Sequence, residues 1–239
     1  MTKQPQTEKG FTLVELAIVL VIVGLLIAGI LKGQELITNS QITSTISQIE
    51  SFGGAVNTFK QNYGAYPGDM SNADTRLINC TADPCDNGDG DSIINVNVGA
   101  AGATGAESAY FFNHLRAAEL VTSFDGTDNA LFGAAFPTAS IGGGYLVGDT
   151  REGVTEFDAT EMRPGAYLVL AGQPADDVDG TNGVLTPAQA ARIDRTIDDG
   201  APETGSVISQ DTANACRDGA IYDESEPDQT CVIAYRLPR

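Results

Sequence analysis

The chain has 239 residues, 32 of them acidic and 13 basic, with a formal net charge of −19. That balance excludes the clustered Lys and Arg needed to hold nucleic acid phosphates, and it disfavours docking on an anionic membrane surface. A 42% apolar content exceeds what a disordered chain carries, and the residues after the N-terminal helical segment, about 175 of them, suffice for one buried domain.

The first feature along the chain is KGFTLVEL, residues 9–16. From Phe11 to Leu31 every residue is apolar or glycine except Thr12 and Glu15, and Lys32 closes the run. A run of about 20 such residues crosses a hydrocarbon core of about 30 Å as a helix. Lys3 and Lys9 precede it, so the positive-inside rule keeps the N-terminus cytoplasmic and sends the rest outward. A cleaved signal peptide needs a shorter apolar stretch and a small-residue cleavage site after it. The run is too long and IAGILKGQEL is a weak site, so the anchor is expected to be retained. Glu15 is the anomaly. An ionised carboxylate at a bilayer centre costs roughly 2.5–3.5 kcal/mol, less near the interface, and no basic side chain lies within the run.

KGFTLVEL resembles the N-terminal signature of type IV pilins and of the pseudopilins of type II secretion: a short basic leader ending in Gly, then Phe-Thr-Leu-Val-Glu and a long apolar run. The resemblance covers about the first thirty residues. It implies that a prepilin peptidase cuts after Gly10 and methylates Phe11, the new N-terminus. It also implies that the precursor sits in a bacterial inner membrane and that the mature chain joins a periplasmic or cell-surface filament with copies of itself. Physical reasoning then gives Glu15 a role. Cleavage leaves an ammonium on Phe11 one helical turn away, and opposite charges about 4 Å apart in low dielectric attract strongly, although desolvation offsets much of the gain. Glu15 of one subunit meeting Phe11 of the next would set the register of side-by-side helices. One departure stands out. Where the family commonly has a proline about twenty residues into the mature chain, this sequence has Lys32 and Gly33, with Gly24 and Gly29 nearby.

Beyond Lys32, apolar residues recur at Ile42, Ile46, Ile49, Phe52, Val56, Phe59 and Tyr63. Steps of three and four place them on one stripe of an amphipathic helix, with Gln41, Ser44, Gln48, Asn57 and Lys60 opposite. Tyr63-Gly64 and Tyr66-Pro67-Gly68-Asp69 end it. The domain reading is therefore a leader at 1–10, a membrane and assembly half at 11–31, an amphipathic half at 32–63 and a globular head at 64–239. Residues 69–103 read as loop. Thr104-x-x-Glu107 reads as a capping box before a short amphipathic helix whose apolar face is Phe111, Leu115 and Ala118. His114, the sole histidine, falls off that face and reads as a surface residue. Strand-like runs follow at 144–147, 166–171, 206–209 and 231–237, and Thr186-Pro187-Ala188-Gln189 opens a third helix that runs toward Asp198. A long helix on a small antiparallel sheet with loop insertions is an α+β fold, and the resemblance implies the pilin version of it.

Cys80 and Cys85, and Cys216 and Cys231, lie close in sequence downstream of an export-type segment, which suggests disulfides in an oxidising compartment. Metal ligation competes, but neither spacing is Cys-x-x-Cys. Four cysteines allow three pairings. By resemblance, a Cys216 to Cys231 bond would close a C-terminal loop onto the last strand, as in many pilins.

Three acidic clusters remain: Asp86, Asn87, Asp89 and Asp91; Asp176, Asp177, Asp179 and Asn182; and Asp194, Asp198 and Asp199. Alternating Asp and Asn around a turn glycine supplies oxygens of the kind calcium takes. Ca2+ is therefore a candidate at Asp86/Asn87/Asp89/Asp91 and at Asp177/Asp179/Asn182, against solvated turns. Neither completes an EF-hand. The third cluster reads as a solvated helix end, although its acids oppose the helix dipole. No HExxH, GxSxG or glycine-rich phosphate loop is present, so catalysis is not expected. The functional readings are a pilus-type filament subunit, a type II secretion pseudopilin, or a calcium-dependent anchored adhesin or minor tip pilin.

Overall fold

The computed structural model describes residues 12–78, 80–175, 178, 180–210 and 216–238. The chain divides into two compact units, residues 1–41 and 42–239. Helix α1, Leu13–Tyr63, contributes to both and runs unbroken through Lys32 and Gly33. With no proline there, every peptide keeps its N–H donor, and glycine alone weakens a helix by only about 1 kcal/mol relative to Ala.

In the second unit the predicted stripe is the buried face of α1. Ile42, Ile49, Phe52, Val56 and Phe59 are in the core, joined by Thr45, Gly53 and Ala55. Gln48 departs from the expected polar face. It is half-buried, and its Oε1 accepts the Ser140 N–H at 2.9 Å and the Tyr145 hydroxyl at 3.2 Å. A loop after α1 contains the single-turn α2 (Ala73–Arg76) and leads to α3 (Glu107–Ala117). Helix α3 is not amphipathic as expected, because every residue from Glu107 to Leu115 is buried. Its Phe112 ring meets Phe52 at 5.8 Å and Phe136 at 6.1 Å edge-on, the geometry aromatic rings prefer.

The sheet is built from β1 (Gly144–Asp149), β2 (Ala166–Ala171), β3 (Val207–Ser209) and a C-terminal strand, Ile233–Arg236. A two-residue hairpin, β4 (Arg217–Asp218) with β5 (Ile221–Tyr222), precedes that last strand, which is β6. The order β1-β2-β6-β3 is antiparallel throughout, with Gly144 opposite Ala171, Leu170 opposite Ile233 and Val207 opposite Tyr235. Strands β1 and β2 are buried at every position, so both faces of the sheet centre are covered. Tyr145 of β1 lies 5.2 Å from Phe52 of α1. Helix α4 (Pro187–Ile197) starts on the expected capping box, Thr186 with Gln189, and has proline in its first turn. This is an α+β, pilin-like architecture.

The structure pairs Cys80 with Cys85 and Cys216 with Cys231, at Cα separations of 4.6 and 5.0 Å. Cys231 bridges to Leu185 just before β6, so the second bond ties the β4–β5 hairpin to the start of β6, an inner strand of the sheet.

Candidate assembly helix and acidic sites

The first unit exposes its apolar side chains. Leu13 is 86% exposed, Leu20 69% and Leu25 70%, and large aliphatic residues stay exposed as far as Ile37. A patch of this extent on a folded chain marks an interaction surface or a membrane-embedded one. By length and composition α1 is able to cross a bilayer.

Glu15 has a local partner that the sequence reading missed. Its Oε2 accepts the Thr12 N–H and the Thr12 hydroxyl, both at 2.8 Å, while Thr12 Oγ1 accepts the Glu15 N–H at 3.2 Å. This is a reciprocal capping box, Thr-x-x-Glu, which satisfies helix donors that otherwise lack partners. The signal was legible as Thr12-Leu13-Val14-Glu15. Both bonds fall on Oε2, so Oε1 accepts none among the described residues. Gly10 and Phe11 lie outside the described residues.

Against this geometry stands one match. Residues 6–31 fit the family described as the prokaryotic N-terminal methylation motif. The chain carries the type IV pilin and pseudopilin signature. The motif supports a pilin-like precursor and a structural subunit rather than an enzyme, and it implies a prepilin peptidase as the processing partner. No curated protein and no solved structure matches the chain. An apolar helix close to the N-terminus, together with the motif, fits a membrane-anchored precursor.

In the head, the acidic residues sort differently from their order in sequence. Asp86 Oδ1 accepts its neighbour Asn87's N–H, Asn87 Oδ1 accepts from Asp74 N–H, and Asp91 Oδ1 accepts from Ile93 N–H. Those three oxygens shape the turn. Asp89 instead joins Asp69 and Glu107, two residues the sequence reading did not single out as ligands. The expected capping box at Thr104 does not form: Glu107 is the first residue of α3, and Ala106 is its N-cap without a side-chain bond. Glu107 turns outward from the helix and accepts the Asp89 N–H on Oε1 and the Asn95 N–H on Oε2, both at 3.0 Å. Burial pushes both Asp69 and Glu107 up to about 6.

Of the second candidate calcium loop, Asp177 and Asp179 lie outside the described residues. Asn182 is buried at the end of the 3-10 turn Gly180–Asn182, where its carbonyl accepts the Gly172 N–H. The third cluster has a structural use. Asp198 accepts from the N–H groups of Ser206 and Val207, Asp199 from Ala201 N–H and the Thr204 hydroxyl, and Asp194 from Gly200 N–H and the Tyr222 hydroxyl. These bonds anchor the loop after α4, which accounts for acids at a helix C-terminus.

His114 is not on the surface. It is fully buried, its Nδ1 accepts the Gly68 N–H at 2.9 Å, and its Nε2 lies 2.8 Å from the Asp86 carbonyl. Nδ1 accepts, so the proton is on Nε2 and is donated to Asp86. Burial pulls its pKa down to about 4, keeping the ring neutral. The ring stacks between Phe59 and Tyr110, with centroids 6.2 Å from each.

Proposed function

We propose that the chain is a structural subunit of a type IV pilus-like filament, made as a prepilin, cut after Gly10, N-methylated at Phe11 and polymerised through its apolar N-terminal helix. The supporting observation is the pairing of the methylation motif with a helix whose apolar side chains are exposed from Leu13 to Ile37. Such a surface is stable only in lipid or against other helices. Bilayer insertion satisfies it in the precursor and helix packing satisfies it in the filament.

Glu15 then serves twice. Oε2 caps its own helix through Thr12, and Oε1 is left to face the Phe11 ammonium of a neighbouring subunit. The two uses separate by substitution. Glu15→Gln keeps a side chain able to complete the capping box but removes the charge, whereas Glu15→Ala removes both. Electron microscopy of sheared filaments, with the subunit identified by peptide sequencing, tests the proposal. The wild-type chain is expected in the filaments, and both variants are expected to be processed yet to give few or none. A chain missing from the filaments contradicts the subunit reading. Normal filaments from Glu15→Gln contradict only the charge pairing.

A further inference from the structure

A tight backbone contact brings the acids of the head together. Gly68 and Gly88 belong to turns far apart in sequence, and the Gly88 N–H bonds the Met70 carbonyl at 3.0 Å. A Cβ on Gly88 would come within 2.4 Å of the Gly68 carbonyl oxygen and 2.5 Å of the Asp69 Cα. A Cβ on Gly68, whose φ is +90°, would lie 2.6 Å from the Glu107 carbonyl oxygen. Only glycines let the Tyr-Pro-Gly-Asp turn, the 88–92 turn and the start of α3 press against one another.

The product of that contact is three carboxylates in one place. Asp69, Asp89 and Glu107 each offer an oxygen within 4.8 Å of the other two. A single cation with oxygen bonds of about 2.3–2.6 Å is able to bridge such a spacing. Asp69 is only 3% exposed and Glu107 6%. Asp69 Oδ2 accepts the Ser92 N–H at 2.9 Å, but its Oδ1 is buried with no hydrogen-bond partner. An orphaned carboxylate oxygen is among the costliest groups to bury.

Among the described residues, no Lys or Arg side chain bonds any of the three acids. Their partners are the backbone N–H groups of Ser92, Asp91, Asp89 and Asn95 and the Asn95 amide. Arg151 responds to the charge of Asp69, but its guanidinium is held by both oxygens of Asp149 and by the Ser92 carbonyl. Asp89 is exposed, so an ion has a way in from solvent on its side of the cluster.

We infer that Asp69, Asp89 and Glu107 form a divalent cation site of the calcium class, which fastens the 86–95 loop to the turn after α1 and to the start of α3. The donor set is oxygen only, which suits a hard cation. Ion binding neutralises the buried acids and gives Asp69 Oδ1 its missing partner. The site does not depend on the filament proposal, because it lies within the head and uses no residue of the N-terminal segment.

The test is thermal unfolding and calorimetric titration of the detergent-extracted full chain with CaCl2 after EDTA treatment. Calcium at a hundred times its Kd is expected to raise Tm by about 5–10 °C. Asp69→Asn and Glu107→Gln are expected to abolish that shift and to weaken calcium binding at least about tenfold, the least that even an altered partner behind a ligand costs. Asp89→Asn, at an exposed position where the amide oxygen still accepts the Asp91 N–H, should weaken binding as well. Asp199→Asn, in the other acidic cluster, should leave the shift unchanged. No Tm shift in the wild type overturns the assignment. So does a shift that survives Asp69→Asn and Asp89→Asn, or one that Asp199→Asn removes equally, since either is general screening of a highly acidic chain. If Asp69→Asn raises the Tm in EDTA while the wild type ignores calcium, the cluster is a pair of protonated acids and not an ion site.

Discussion

Leu13, Leu20 and Leu25 in the first unit are 69–86% exposed, while Phe59, Phe111, Phe112 and Leu115 in the second are fully buried. Both regions are apolar, yet only the second meets its own needs. Residues 42–239 close a core around aromatic side chains from α1, α3 and β1. Residues 13–31 of α1 present apolar side chains that no described residue buries. The difference teaches where specificity resides: the head is specified by internal packing, and the segment by the environment and the partners it is handed to.

Substitutions should respect that division. Phe112→Ala empties a site between Phe52, Phe111 and Phe136 and is expected to destabilise the head by about 3–5 kcal/mol. Val21→Ala, in the exposed segment, should change head stability by less than about 0.5 kcal/mol while reducing filament yield. Chemical denaturation of detergent-extracted protein measures the first, and sheared-filament yield the second. Equal effects of the two on head stability would erase the comparison.

A smaller effect sharpens the picture of the head. His114 is held neutral with its pKa near 4, against about 6.5 when unfolded. The unfolded chain therefore takes up a proton first as pH falls, and this contribution to stability is lost between about pH 6.5 and 4, at up to about 1.4 kcal/mol per pH unit. Asp69, Glu107 and Asp194 work the other way. Burial raises each to about 6, so without a cation their contribution falls as pH rises from about 4 to 6. Because the slopes overlap, the ring resonances of His114, the sole histidine, are the cleaner readout. No titration above about pH 5 is expected, and a midpoint near 6.5 would mean an exposed ring.

Much of the fold was legible because periodicity survives in sequence. The steps from Ile42 to Phe59, the strand-like run at 231–237 and the Thr186–Gln189 cap each state their element locally. What was not legible depends on contacts between distant residues. Position 114 falls off the Phe111–Leu115 stripe, and only the turn at Gly68 and the carbonyl of Asp86 explain its burial. Thr104-x-x-Glu107 fits the capping pattern, yet Glu107 is drawn to the N–H groups of Asp89 and Asn95. The CDNGDGDS stretch pointed to acids adjacent in sequence, whereas the structure gathers Asp69, Asp89 and Glu107 across 38 residues of chain. The β4–β5 hairpin is too short, at two residues per strand, to show alternation. The Thr12–Glu15 box is legible in the Thr-x-x-Glu spacing alone.

The proposed cleavage after Gly10 remakes the N-terminal segment, and the mass of the N-terminal peptide from filament-derived protein tests it most directly. A peptide beginning at Phe11 and carrying one added methyl group on its amine is the predicted result. A peptide that retains residues 1–10, or that begins downstream of Glu15, would contradict it.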